Sequence, residues 1–288
     1  MQPWMKRHIE RYEARKRPIL LHNGQLFHVS EHVVCPLGPA NSEWSITPAE
    51  AIEMGRKLKS FVIRWTNGFV DQETSWHAVI CDTFTSLEEY SSKHRYKINR
   101  GLKNFRVERV DAAYIKEHGY PIYRKAHDRY RSASHLWTEK QFVEHVAQDE
   151  PFDDIVHYWG VFAESELIVF AIVDIYGTTE ASYVLTKADP EFLRLYPIYA
   201  MIHVMKEYYL ATHKFSYIND GWKSIRHETN FQDLLIDVFR FRKAYTQLHV
   251  AYRFPLSLGV RVAYPFRSIL SRLDERVAAL LSLEECTR

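Results

Sequence analysis

The chain has 288 residues, 46% of them hydrophobic and 26% charged, with 38 Lys and Arg against 36 Asp and Glu for a formal charge of +2. These proportions suit a soluble globular protein of one large domain or two intimately packed ones, and they exclude wholesale disorder, a collagen-like chain and a coiled coil. Near-neutral charge predicts no strong nonspecific DNA binding, so DNA is not an expected partner, while a local basic patch stays compatible with it.

Three cysteines, Cys35, Cys81 and Cys286, lie far apart without a CxxC pair. That pattern predicts neither a disulfide framework nor a zinc site, and it points to a reducing, cytoplasmic setting. The first 17 residues are rich in Arg, Lys and Glu and lack the apolar core of a signal peptide. No window reaches about 18 uninterrupted apolar residues, so no transmembrane segment is expected. With only 10 glycines, few places suit a backbone cradle for phosphate.

Residues 4–16 read as a short charged helix. Residues 19–28 surround Asn23-Gly24, a two-residue turn signal that predicts a hairpin. Residues 35–45, with Pro36, Gly38 and Pro39, read as a loop. Thr47-Pro48-Ala49-Glu50 opens a helix: Thr47 caps it, Pro48 suits its first turn, and Glu50 completes a capping box. Residues 61–65 and 76–81 are strand-like. Ser86-Leu87-Glu88-Glu89 repeats the capping logic and predicts a helix to about Asn104. Its second half carries Lys93, His94, Arg95, Lys97, Arg100 and Lys103.

A strand over 105–110 follows, then a helix over 112–131 that Gly119-Tyr120-Pro121 must bend or split. Thr138 caps a helix over 138–148. Residues 156–163, 166–176 and 179–185 read as three strands of an antiparallel meander, with turns at Glu164-Ser165 and Gly177-Thr178. Residues 192–213 form a long apolar helix, and 215–218 a strand ending at Asn219-Asp220-Gly221. A helix over 230–239, a strand over 242–253 and a helix over 265–284 complete the chain. In the last helix, Ile269, Leu270, Leu273, Val277, Leu280 and Leu281 show helical spacing. The order is mixed α/β; it is not a repeating βαβ pattern, and without GxGxxG a Rossmann reading fails. No nucleophile elbow, P-loop or His-Glu-x-x-His supports a hydrolase, an NTPase or a zinc protease.

From residue 105 to 254 this succession resembles the GNAT acyltransferase fold. Upstream, the strand Trp76-His77-Ala78-Val79-Ile80-Cys81-Asp82, the Leu87-Glu88-Glu89 helix and the basic helix leading into the strand that ends at Val110 resemble the Fem-type aminoacyltransferases. Those proteins join a truncated GNAT-like half to a complete GNAT domain. The resemblance implies a GNAT-like fold with a truncated N-terminal region over 1–104 packed on a GNAT-like domain over 105–264, and a C-terminal helix over 265–288.

Two departures bear on the donor. Acetyl-CoA-dependent members carry a glycine-containing pyrophosphate loop before the long helix. Here residues 186–194 read Thr-Lys-Ala-Asp-Pro-Glu-Phe-Leu-Arg, without glycine and with two acids. The late helix of those members also supplies a tyrosine that protonates the leaving thiolate, and none lies between Asn230 and Phe241.

Asn219-Asp220-Gly221-Trp222 follows the strand that splays from its neighbour in this fold. There Asp220 can accept a proton from an attacking amine or orient its ammonium. The same residues are also ordinary turn formers. Lys223, Arg226 and His227 can neutralise a phosphate or carboxylate, or simply face water. His127, Arg129 and Tyr130 fall where the resemblance implies an acceptor pocket: Tyr130 offers a hydroxyl and Arg129 a bidentate carboxylate site. Ser182 and Tyr183 sit on the strand whose backbone N–H groups face the acyl carbonyl in this fold. The basic helix can meet phosphates of tRNA or CoA, or be a solvated face.

The implied activity is an N-acyltransferase that moves an acyl or aminoacyl group from a thioester or ester to a small-molecule or peptide amine. The donor is an acyl-CoA or an aminoacyl-tRNA, tRNA is a possible partner, and no metal is required. The alternative is a non-catalytic binding module that keeps the fold.

Overall fold

The computed structural model describes residues 1–130, 136–224 and 230–288. Its strands are β1 (Ile19–His22), β2 (Gln25–Ser30), β3 (Val33–Pro36), β4 (Val62–Val70), β5 (Trp76–Cys81), β6 (Arg106–Val110), β7 (Val156–Ala163), β8 (Glu166–Tyr176), β9 (Glu180–Ala188), β10 (Tyr217–Trp222) and β11 (Arg242–Tyr252). Its helices are α1 (Pro3–Ala14), α2 (Pro48–Lys57), α3 (Ser92–Asn104), α4 (Ala112–His118), α5 (Tyr120–Tyr130), α6 (Glu139–Ala147), α7 (Pro197–Lys206), α8 (Asn230–Phe239), α9 (Leu256–Ala263), α10 (Arg267–Leu270) and α11 (Glu275–Glu285). The protein is mixed α/β.

Two compact units form. One holds Met1–Val79, Trp222–Asp233 and Lys243–Arg288; the other holds Ile80–Gly221 and Leu234–Arg242. In the first, Asn23 and Gly24 take positive φ (48° and 76°) and close the β1–β2 hairpin. β3 adds antiparallel to β2 and parallel to β4, and β4 pairs antiparallel with β11 from Val62↔Tyr252 to Val70↔Tyr245. Thr47 and Glu50 form the capping box that starts α2. Phe27, Trp44, Met54, Ile63 and Trp65 fill a core under α2.

In the second unit β6, β7, β8 and β9 run antiparallel, and β10 joins β9 in parallel. Seven successive residues of β7 and seven of β8 are buried. Alternation is lost because both faces of these strands are covered. Gly119 ends α4 and α5 begins at once, so the single helix expected over 112–131 is split at that glycine.

Other expectations are revised. β3 takes Cys35 and Pro36 from the loop expected over 35–45. The helix expected from Ser86 is a 3-10 turn over Leu87–Glu89, and α3 starts afresh with Ser91, whose hydroxyl accepts the His94 N–H. The break follows from Tyr90, extended and buried, which turns the chain into the core. The long helix over 192–213 comprises a 3-10 turn (Pro190–Leu195), α7 and a π-turn (Glu207–Thr212), because Tyr196 adopts φ 64° and Pro197 restarts the helix. Strand 242–253 is part of the sheet, where it lies between β4 and β5 and pairs antiparallel with β4. The C-terminal helix is three pieces, and it leaves Ile269 and Leu273 63% and 74% exposed.

Candidate functional site

β9 and β10 meet over three residue pairs only: Tyr217↔Glu180, Ile218↔Ala181 and Asn219↔Ser182. Both strands continue, β9 to Ala188 and β10 to Trp222, but past Ser182 they no longer pair. On its other side β9 stays paired with β8 to Ala188. Residues 183–188 therefore present backbone groups to a gap that β10 does not fill.

Asn219 pins this fork. Its side-chain amide donates to Glu180 Oε1 (2.9 Å), and its Oδ1 accepts the Gly221 N–H (2.8 Å). Asn219 and Glu180 are both buried. The second bond bends β10 away, and Gly221 completes the bend at φ +93°, a left-handed value that other residues adopt only with strain. Asn219-Asp220-Gly221 is thus not a strand-exit turn. It is the last stretch of a strand, bent by one side-chain bond.

Ser182 stands opposite Asn219 in register, and Tyr183 is the first residue past the fork. The Tyr183 hydroxyl is buried and finds no hydrogen-bond partner among the described residues. Burial, then the nearby Tyr209, Cys81 and Asp220, pushes its phenol well above the ordinary range. Its O–H is thus held protonated and unused among the described residues, with Asp220 among the groups whose charge reaches it. Its ring centroid lies 6.3 Å from that of Phe241.

In the same unit Lys206 is fully buried on α7. Its ammonium donates to the Phe239 carbonyl (2.6 Å), Thr85 Oγ1 (3.4 Å) and Tyr90 Oη (3.4 Å). Burial lowers its pKa, and Cys81 partly offsets that. Burial in turn raises the Cys81 thiol and pushes Tyr90 up to about 12. Sequence reasoning passed over Lys206. The available signal was a charge sharing a helix face with Ile202 and Leu210, both buried, inside an apolar run.

The loop in the pyrophosphate position uses its own amides. The Asp189 carboxylate accepts the Glu191 N–H (3.0 Å), the Asp189 carbonyl accepts the Phe192 N–H, and the Leu193 carbonyl accepts the Tyr196 N–H. Pro190 and Pro197 have none to give. Lys125 holds Asp189 at 2.5 Å. Above this loop, the basic face of α3 comes close: Gly101 packs on the Tyr196 carbonyl and Ala200, and Lys97 and Arg100 lie over the Tyr196 ring at 5.5 and 5.8 Å.

His127 is half-buried and Arg129 exposed, both in the last turn of α5. The Tyr130 side chain, Arg226 and His227 lie outside the described residues. Trp222 and Lys223 belong to the first unit, where Trp222 stacks on Trp76 (6.2 Å, 21°). The Lys223 N–H donates to the His77 carbonyl and its Nζ to the Ser75 carbonyl (3.0 Å). Both have partners within the protein, so neither is a bare ligand-facing group.

No family model matches the chain, and no curated protein matches it. Solved structures do. FemX aligns over 93% of both chains with a TM-score of 0.59 at 11% identity. The C-terminal domain of a candidate lysylphosphatidylglycerol synthetase from Agrobacterium fabrum aligns over 89% of this chain and 91% of its own, with a TM-score of 0.56 at 8% identity. L-PGS from Bacillus licheniformis aligns over 95% and 98%, with a TM-score of 0.50 at 12% identity. The fold is GNAT-like and similar to that of FemX.

Proposed function

We propose that the protein is an acyltransferase that moves an acyl or aminoacyl group from an ester or thioester to an amine. The observation that carries the reading is the fork itself: a parallel pair that stops after three residues, with Tyr183 and Asp220 at its opening. In this reading the donor carbonyl lies against the free N–H groups of β9 past Ser182, where fixed backbone donors stabilise the oxyanion. The amine nitrogen attacks the carbonyl carbon, and Asp220 takes its proton. The bond to the carrier oxygen or sulfur breaks, and the Tyr183 phenol protonates the leaving atom. Holding both reactants in the gap supplies much of the rate.

The loop before α7 supports a donor other than CoA, because its amides are already engaged and it carries two acids. Lys97 and Arg100 beside it suit the phosphates of an aminoacyl-tRNA end. The test is calorimetry with CoA, beside transfer assays that offer acyl-CoA or aminoacyl-tRNA with amine acceptors. Weak CoA binding and transfer from aminoacyl-tRNA are expected. Tight CoA binding would overturn the donor assignment, and no transfer from either donor class would leave a binding module as the better reading.

A further inference from the structure

Twelve large hydrophobic side chains are exposed among the described residues, and half of them crowd into residues 254–273. They are Phe254, Leu258, Val262, Phe266, Ile269 and Leu273, each between 56% and 75% exposed. The spacing is four, four, four, three and four residues, which is one face of a helix. Leu258, Val262, Phe266 and Ile269 lie on α9, a 3-10 turn at Tyr264–Phe266 and α10, and Phe254 and Leu273 lie in the turns at either end. Periodicity of this kind normally marks a face that packs on a core. Here that face meets solvent, while Val260 on the opposite side is buried at 3% exposure.

The charges in the segment have one sign. Residues 254–273 contain Arg261, Arg267 and Arg272 and no Asp or Glu. Arg267 pairs with Glu285. Arg261 and Arg272 are exposed, and neither makes an ion pair among the described residues. An apolar stripe flanked by unneutralised guanidinium groups matches a surface that is oily below and anionic above. No helix among the described residues is long and apolar enough to cross a membrane, so such a segment lies along the surface.

We propose that residues 254–273 dock the protein onto an anionic lipid bilayer, with Leu258, Val262, Phe266, Ile269 and Leu273 inserted among the acyl chains and Arg261 and Arg272 on the lipid phosphates. The inference is independent of the transfer chemistry. It requires only that the stripe be exposed and the arginines be uncompensated.

The test is co-sedimentation of the full-length protein with vesicles of phosphatidylcholine alone and of phosphatidylcholine mixed with phosphatidylglycerol. Binding to the anionic vesicles is expected to be about tenfold tighter or more, and to weaken with salt. The triple variant Leu258→Ser, Phe266→Ser, Leu273→Ser should lose binding to both vesicles and keep the melting temperature, because these side chains are already in water. Arg261→Gln with Arg272→Gln should lose the preference for anionic vesicles. Equal binding by wild type and triple variant overturns the proposal, as does failure of the wild type to bind either vesicle. A wild-type dimer in sedimentation equilibrium that the triple variant abolishes, without vesicle binding, would assign the stripe to a second copy of the chain and overturn it too.

Discussion

Asp220 divides two roles that one substitution separates. As the proton acceptor it needs a carboxylate; as a mere member of the bent strand end it needs only a short polar side chain, which Asn also offers. Asp220→Asn is expected to lower turnover by about 10²-fold or more with little change in melting temperature. Near-normal turnover would remove Asp220 from the chemistry and leave positioning along β9. His157 gives a pH prediction in the same unit. Its Nδ1 lies 3.0 Å from Tyr209 Oη, which also accepts the Trp159 indole N–H at 2.9 Å. The Tyr209 hydroxyl is thus shared by the indole and the imidazole inside a dry pocket. Burial, then the charges of Arg109 and His213, lowers the His157 pKa to about 3. Between pH 6.5 and about 3 the unfolded chain binds a proton that the native state refuses, so stability falls as pH drops through that window. The full loss is on the order of 5 kcal/mol. Urea melts at pH 7 and pH 4.5 should show a slope that His157→Gln flattens; equal slopes would assign the acid sensitivity elsewhere.

At the scale of elements, the contact between α3 and α7 depends on a missing side chain. A Cβ on Gly101 would stand 2.5 Å from the Tyr196 carbonyl and 3.0 Å from the Ala200 Cβ. Gly-to-Ala inside a helix ordinarily stabilises. Here the clash reverses the sign, and Gly101→Ala should cost about 1–3 kcal/mol, seen as a lower melting temperature. A rise would mean that the helices separate freely. Local signals set most element starts: Thr47, Asp111 and Thr138 all cap helices by accepting the N–H three residues on. The same logic misled at Ser86, which makes its box with Glu89 yet starts only one 3-10 turn. Composition could not distinguish the two outcomes, because the stop comes from the burial of Tyr90. The bend at Asn219 was equally out of reach, since it depends on Glu180, far away in sequence and brought near by parallel pairing. The place where β9 and β10 part, next to Ser182, Tyr183 and Asp220, was legible through the resemblance, which implies a splay there. Lys206 was not, because only packing reveals that its face is dry.

At the scale of the molecule, the first unit takes its strands from both ends of the chain. A chain ending at Arg242 lacks all of β11 beyond its first residue and leaves β4 paired on the β3 side only. Hydrogen exchange on that truncation should show faster exchange over residues 62–70, with β7 and β8 still protected by their mutual ladder. Unchanged protection of β4 would mean that β3 and α2 suffice to hold it. Pairing of β11 with β4 was hidden in the sequence because strand register is written in alternation, and alternation does not name the partner.

That discontinuity fixes an order of events during synthesis. The ribosome releases β1 to β4 first, yet Val62 must wait for Tyr252 before its ladder closes. Meanwhile the meander β7 to β9 emerges as one uninterrupted stretch whose partners are its immediate neighbours. The second unit therefore reaches most of its native contacts while the first still carries an open β4 edge, a template for pairing with the wrong chain. From the translation of residue 70 to that of residue 252, β4 therefore stands without its β11 partner.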